Sequence, residues 1–435
     1  MIETFRNAWK VPELRKKLLF TFFIIIIYRI GGTVPAPYLD AAALSTWFSS
    51  NDSGNFFSYL NVLSGGNFAK ATVMALSVGP YINAQIIIQL LTYALPPLER
   101  LSKEGPEGRK TLNKITKYTA LAIAIFQGWA YYRTMLSAGA VLYTGSNFER
   151  YFAEVIIILC FTAGSSLTIW LGDQINEKGI GNGISMLLFA GIIARGPSAV
   201  ISLVQLMIDG AKQGETKYMI LVPVILVVFV LMIGFIIFMN NAERRIPIQY
   251  AKRVVGRKQY GGQNTFIPVK IAMSGVLPII FAMAFMSLPS TLELFIKPKS
   301  GSFYDKFLDW FNYTHPFYAC LYFLLIIGFN YFYVSMQYNP VEIANNLRQN
   351  NGGVPGIRPG KPTSDYLKKI LSKITLVGAV FLGFIAIFPI IFSAITKMNI
   401  AMGGTSILIV VSVALETART MESQMMMRHH SGFLK

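Results

Sequence analysis

Side chains able to make or break bonds are scarce in this chain and poorly spaced for it. Its only histidines are His315, His429 and His430, and its only cysteines are Cys160 and Cys320. There is no His-Glu-x-x-His zinc motif, no serine nucleophile elbow, no phosphate-binding P-loop and no dinucleotide glycine pattern. Cys160 and Cys320 lie in apolar blocks and read as small core residues, not as a disulfide framework or metal site. Ion-coupled transport normally needs carboxylates or histidines at mid-membrane. Here Arg29, Glu154 and Glu416 fall near the ends of apolar stretches. The residues therefore predict no catalytic group, no metal, no cofactor and no means of using ATP, and they argue against a coupled transporter.

What the apolar stretches do contain is uncharged polarity and helix breakers. Asn83, Gln85, Gln89, Gln127 and Ser185 are of the type that joins helices by hydrogen bonds within a bilayer. Gly79-Pro80, Gly181 with Gly183, Pro278 and Gly403-Gly404 interrupt the apolar runs. Beside them stand aliphatic pairs at helical spacing, Val78 with Ile82 and Ile184 with Leu188, a spacing that core packing also produces.

Long apolar helices must position these residues. Of the 435 residues 53% are hydrophobic and only 14% charged, with a mean hydropathy of +0.49. Water-soluble domains carry about 25% charged residues, so the missing side chains are those that coat a wet surface. Blocks such as Leu18 to Ile30 and Met219 to Met239 do not alternate in polarity, which excludes barrel strands and leaves membrane helices. Ten spans are predicted, near 18–37, 71–95, 116–136, 153–172, 182–205, 218–240, 271–291, 317–337, 370–393 and 402–418. Of the 39 basic residues, 28 fall in one alternate set of connectors, which places that set and both termini in the cytoplasm. The polar start Met1–Lys17 leads directly into a full-length span, so no cleavable signal peptide is expected.

Two cytoplasmic connectors, 240–270 and 338–369, are long and basic. The net charge of +18 reflects cytoplasmic bias in part, and these loops fit either lipid headgroups or an anionic docking partner. The outer segment 56–70 is too short to span; it reads as an interfacial helix or a re-entrant one.

Six stretches resemble the SecY family of protein-conducting channels, in the family's order: Pro80–Leu91 (PYINAQIIIQLL), Lys103–Arg109 (KEGPEGR), Trp170–Ser185 (WLGDQINEKGIGNGIS), Tyr250–Arg253 (YAKR), Val354–Gly360 (VPGIRPG) and Gly403–Ser406 (GGTS). The last-but-one form is of the bacterial type. The resemblance implies an all-α multispanning membrane protein with two inverted five-helix halves around a central hourglass pore, and a lateral gate. The divisions expected are a cytoplasmic segment 1–17, an N-terminal half 18–205, an external hinge 206–217, a C-terminal half 218–418 and a tail 419–435. By motif, Val78, Ile82, Ile184, Leu188, Ile280 and Ile409 would form a pore ring. An apolar constriction of this kind dewets and blocks ions. The plug would include Phe57, Leu60, Leu63, Ser64, Gly65, Gly66 and Phe68, and Gln89, Thr92 and Gln127 would face the gate. Arg253, Arg257, Lys258 and Arg358 would dock the SecA motor ATPase or the ribosome through ribosomal RNA phosphates. Further expected partners are the small membrane subunits SecE and SecG, signal peptides, nascent secretory or membrane proteins, and the lipid bilayer of a bacterial plasma membrane. Two rival readings remain, a secondary transporter and an insertase or scaffold without a pore.

Overall fold

The computed structural model describes residues 2–50, 61, 64–142, 147–212, 216–250, 253–255, 258–260, 264–286, 289, 307–308, 310–311, 315–396 and 404–431. Helices dominate it. In chain order they are α1 (Ile2–Lys10), α2 (Pro12–Gly31), α3 (Ala41–Ser50), α4 (Gly79–Ala94), α5 (Pro96–Lys103), α6 (Pro106–Ser137), α7 (Asn147–Lys178), α8 (Gly183–Ala194), α9 (Gly196–Lys212), α10 (Thr216–Asn241), α11 (Leu277–Met286), α12 (Pro316–Gln337), α13 (Pro340–Gln349), α14 (Lys361–Thr396) and α15 (Gly404–Ser431). Among the described residues, five stretches are long and apolar enough to cross a membrane: Phe148–Lys178, Gly183–Gly210, Met219–Asn241, Pro316–Gln349 and Lys361–Phe392.

Two of the expected spans differ from simple helices. The stretch 71–95 begins as a chain of tight turns, with the amides of Ala75, Ser77 and Gly79 each bonded to the carbonyl three residues back, and becomes α-helical only at Gly79. Pro80 lies in the first turn of α4, where its missing N–H costs nothing and its fixed φ favours the helix. The stretch 271–291 is helical over Leu277–Met286, entered through turns at 271–276. The expected hinge 206–217 overlaps α9, which continues to Lys212.

The helices form two sets with matching internal neighbours. In the first, α4 packs on α6, α6 on α7, and α8 on both α2 and α7. In the second, α11 packs on α12, α12 on α14, and α15 on both α10 and α14. Each set has its own buried core. Phe68, Tyr131, Tyr132, Met135, Ile157 and Phe161 centre the first. Ile236, Ile279, Tyr322, Ile326, Leu382 and Ile385 centre the second. At one end of the first set, short antiparallel bridges stitch Pro35 to Thr72 and Leu39 to Val141. At one end of the molecule α1 lies against α15, with Ala8, Leu14 and Ile180 buried beside Ala418 and Met421.

The two long connectors contribute the strands. β1 (Glu243–Tyr250) pairs antiparallel with β4 (Asn264–Lys270), and β2 (Arg253–Val255) with β3 (Lys258–Tyr260). β5 (Gly352–Gly353) joins the other edge of β1, so one sheet, ordered β4-β1-β5, ties both connectors together. Ile246, Val269, Ala344, Val354, Leu367 and Leu371 are buried beneath it.

Candidate functional site

The six candidate ring residues come together. Val78, Ile82, Leu188, Ile280 and Ile409 are buried in a single apolar cluster, and Ile184 packs against it half-buried. Helical spacing explains the pairs. Val78 caps α4 and Ile82 lies one turn on, while Ile184 and Leu188 share a face of α8. The first turn of α8 is set by two asparagines: Asn176 Oδ1 accepts from the Gly183 amide at 2.7 Å, and Asn182 Oδ1 from the Ser185 amide at 3.3 Å. Ile280 arrives on the short α11 and Ile409 on α15. The cluster also takes in Ile24, Tyr28, Met74, Leu171, Ile175, Leu187, Ile192 and Val413. It therefore joins the two helix sets through aliphatic, methionine and aromatic side chains.

The described part of the candidate plug packs between α6 and α8. Ser64 is buried, and its Oγ accepts from the Phe68 amide at 3.0 Å. The Phe68 ring stacks on Tyr131 at 4.0 Å between centroids, and the Tyr131 hydroxyl donates to the Phe68 carbonyl. Gly65 and Gly66 both adopt positive φ. Phe68 is thus seated on α6 in the first core, while Gly65 lies against Gly191 of α8, next to Ile192 of the ring cluster. Phe57, Leu60 and Leu63 lie outside the described residues.

At the candidate gate, Gln89, Thr92 and Gln127 are half-buried. The Thr92 hydroxyl donates to the Ile88 carbonyl of its own helix at 2.7 Å, so it is engaged locally. A contact across α4 and α12 comes instead from Tyr93 on Phe332, edge to face with centroids 5.7 Å apart. Sequence reasoning passed over this pair because isolated aromatics in apolar runs carry no positional signal.

Among the docking candidates, Arg358 is exposed in a turn whose shape is held by the Thr363 hydroxyl donating to the Arg358 carbonyl at 2.8 Å. Arg253 and Lys258 lie on paired strands β2 and β3, and Arg257 is outside the described residues. Where β4 returns to the helices, Lys270 has its pKa lowered by partial desolvation and then by the nearby Arg419 charge. Arg419 in turn donates to the Asn240 carbonyl at 3.1 Å and Asn241 Oδ1 at 2.7 Å, fixing the base of the hairpin. No residue of this surface was expected to be in a sheet. The pairing Gln249↔Gly353 links residues a hundred positions apart, beyond any local pattern.

Two matched sets of apolar helices that meet at a shared apolar cluster define a multispanning helical membrane protein. The SecY family profile matches residues 72–418. Protein translocase subunit SecY of Mycobacterium tuberculosis (strain ATCC 25618 / H37Rv) is 39% identical over 453 residues, covering 100% of both chains. The Streptomyces griseus subunit of the same name is 40% identical over 449 residues, again covering 100% of both. A solved protein-conducting channel superposes with a TM-score of 0.64 at 18% identity, over 96% of each chain. Sec61 from a canine ribosome-channel complex of the endoplasmic reticulum does so with a TM-score of 0.61 at 17% identity, over 96% of each chain. The chain belongs to the SecY family, the channel subunits of the protein translocase. Its fold is that of the protein-conducting channels.

Proposed function

We propose that unfolded secretory chains cross the membrane of a bacterial cell through the junction of the two helix sets, with Val78, Ile82, Ile184, Leu188, Ile280 and Ile409 as its seal. The observation that carries this is the convergence of those six side chains, from both sets, in one apolar cluster. Aliphatic groups exclude water from a narrow passage, yet yield around a moving polypeptide without binding it. The halves are 18–205 and 218–418, joined through 206–217 and crossing the plasma membrane ten times with both termini, 1–17 and 419–435, in the cytoplasm. The 28 basic residues of one connector set support that orientation.

The plug is the segment around 56–70. A solved SecY protein has a plug domain that stabilises the closed state of its translocation channel and maintains a membrane seal. α4 and α6 part from α11 and α12 to release transmembrane helices sideways, with Gln89, Thr92 and Gln127 lining the opening. The push comes from a motor ATPase such as SecA or from a translating ribosome, docked on Arg253, Arg257, Lys258 and Arg358. The shared sheet β4-β1-β5 supports this, since it presents both basic connectors as one unit. Sec61, a fold relative, was solved in a ribosome-channel complex. SecE and SecG are the proposed small membrane partners, against the apolar outer faces of helices such as α10. A photocrosslinker at Ile409 tests the path, with another at Val230, which is 67% exposed on α10, as the off-path control. A secretory protein stalled in transit should crosslink to Ile409 and not to Val230; equal labelling, or none at Ile409, would reject the proposed seal.

A further inference from the structure

Irregular backbone at membrane depth persists only where the protein itself satisfies its polar groups. Two such segments lead into cluster helices, 64–78 before α4 and 271–276 before α11, and both are held by the same kind of device.

In the first, Ser77 is buried with φ +48°, a left-handed conformation unusual for any residue but glycine. Its Oγ shares a 2.8 Å hydrogen bond with the Tyr28 hydroxyl of α2. Its carbonyl accepts from Ser165 Oγ of α7 at 3.1 Å. Beside Ser165, Gly164 lets α7 press against the segment: a Cβ there would stand 1.9 Å from the Val73 carbonyl oxygen. In the second, Ser274 is buried and its hydroxyl donates to Asn330 Oδ1 of α12. The Asn330 Nδ2 donates onward to the Thr375 carbonyl of α14 at 2.9 Å. Three residues along α14, a Cβ on Gly378 would stand 2.5 Å from the Ile271 carbonyl oxygen.

The correspondence follows chain order. α4 and α11 are the second and seventh of the proposed spans, and the pressing glycines are on the fourth and ninth. An offset of five is what two related five-span halves would produce. The serines also stand close to the seal. Ser77 adjoins Val78, and Ser274 precedes Ile280 by six residues, about a turn and a half of helix.

We propose that Ser77 and Ser274 are paired positioning residues, which hold the irregular entries of the two broken spans and thereby set the height and rotation of the seal residues. This rests on the proposed seal. Removing one hydroxyl leaves a buried partner unsatisfied in the closed channel, while an opened entry can hydrate it. The closed state is then disfavoured by about tenfold.

The test is chloride influx into vesicles that carry the full chain and a halide-quenched dye, per unit of folded protein. Tyr28→Phe, which deletes one oxygen, and Ser274→Ala should each raise influx about tenfold. Ser274→Thr, which keeps the hydroxyl, should stay near the unmodified rate. Ile409→Asn serves as the control for the seal itself. Leak in Ile409→Asn with none in Tyr28→Phe or Ser274→Ala would overturn the positioning role and leave the channel reading standing. The same holds if those variants only lower the yield of folded protein. Silence in all three would overturn the proposed seal and this inference with it.

Discussion

Replacing Ile409 by asparagine strikes the junction where it is most apolar. The Ile409 side chain is 4% exposed, among Val78, Ile82, Leu188 and Ile280. The exchange forfeits the burial of an isoleucine, about 1.5–3 kcal/mol. It also leaves an amide without partners in the cluster, for roughly a further 1–3 kcal/mol. Both penalties fall on the closed state, because an open, wetted passage hydrates the amide. A total of roughly 2.5–6 kcal/mol moves the closed-to-open balance by about two to four orders of magnitude. Ile409→Val removes one methylene at about 1 kcal/mol and should move it about fivefold. Dye-reported chloride influx into vesicles should rank the variants Asn, then Val, then unmodified. In cells, Ile409→Asn should export proteins with defective signal peptides. Influx from Ile409→Asn equal to that of the unmodified chain would refute the assignment of Ile409 to a water-excluding seal.

Three further outcomes are expected. Arg358→Glu reverses an exposed charge and should abolish ribosome- or motor-driven export while leaving the amount of folded protein unchanged, read by pulse-chase export and by detergent-resistant protein yield. Tyr131→Phe keeps the stacked ring and loses the hydroxyl that reaches the Phe68 carbonyl, so hydrogen exchange over 64–72 should quicken by about five- to thirtyfold, from roughly 1–2 kcal/mol of local stability; unchanged exchange would show that the bond contributes nothing. Pro35 and Thr72 face each other in an antiparallel bridge, with Ala36 N–H bonded to the Ala71 carbonyl and Val73 N–H to the Val34 carbonyl. That is the non-hydrogen-bonded type of pair, about 4.5 Å between Cα atoms, within disulfide reach. Pro35→Cys with Thr72→Cys should therefore oxidise to a disulfide seen by peptide mass mapping, and its absence under oxidant would place the bridge elsewhere.

The six cluster residues were legible through the family motifs, and two pairs also showed helical spacing, because burial between helices imposes a period. Val78 with Ile82, and Ile184 with Leu188, are one turn apart and meet in one cluster. The irregular entries were harder to see. Met74 to Val78 is as apolar as any helix, yet its backbone turns aside at Ser77, where a φ of +48° is held by Tyr28 and Ser165 from distant parts of the chain. The sheet was invisible for a related reason. β1 carries Arg244 and Arg245 on one end and two prolines occur across β1 and β4, so its pattern reads as loop; its pairing depends on Gly352-Gly353, far along the chain. The glycine and proline punctuation of 338–369 announced a shaped turn but not its edge pairing.

The packing of α1 on α15 bears on when this molecule can be finished. Ala8 of α1 is buried beside Ala418 and Met421, and the following α2 adds Leu14 to the same cluster and a Lys17 ammonium that donates to Gln424 Oε1 across a separation of 407 residues. A ribosome adds about 5–20 residues each second, so the amino-terminal helix waits on the order of half a minute for its partner to emerge. Throughout that interval the apolar face of α1 has no α15 to cover it. The later-made α15 thus closes α1, and a chain truncated before α15 would carry an open seam that quality-control proteases can recognise.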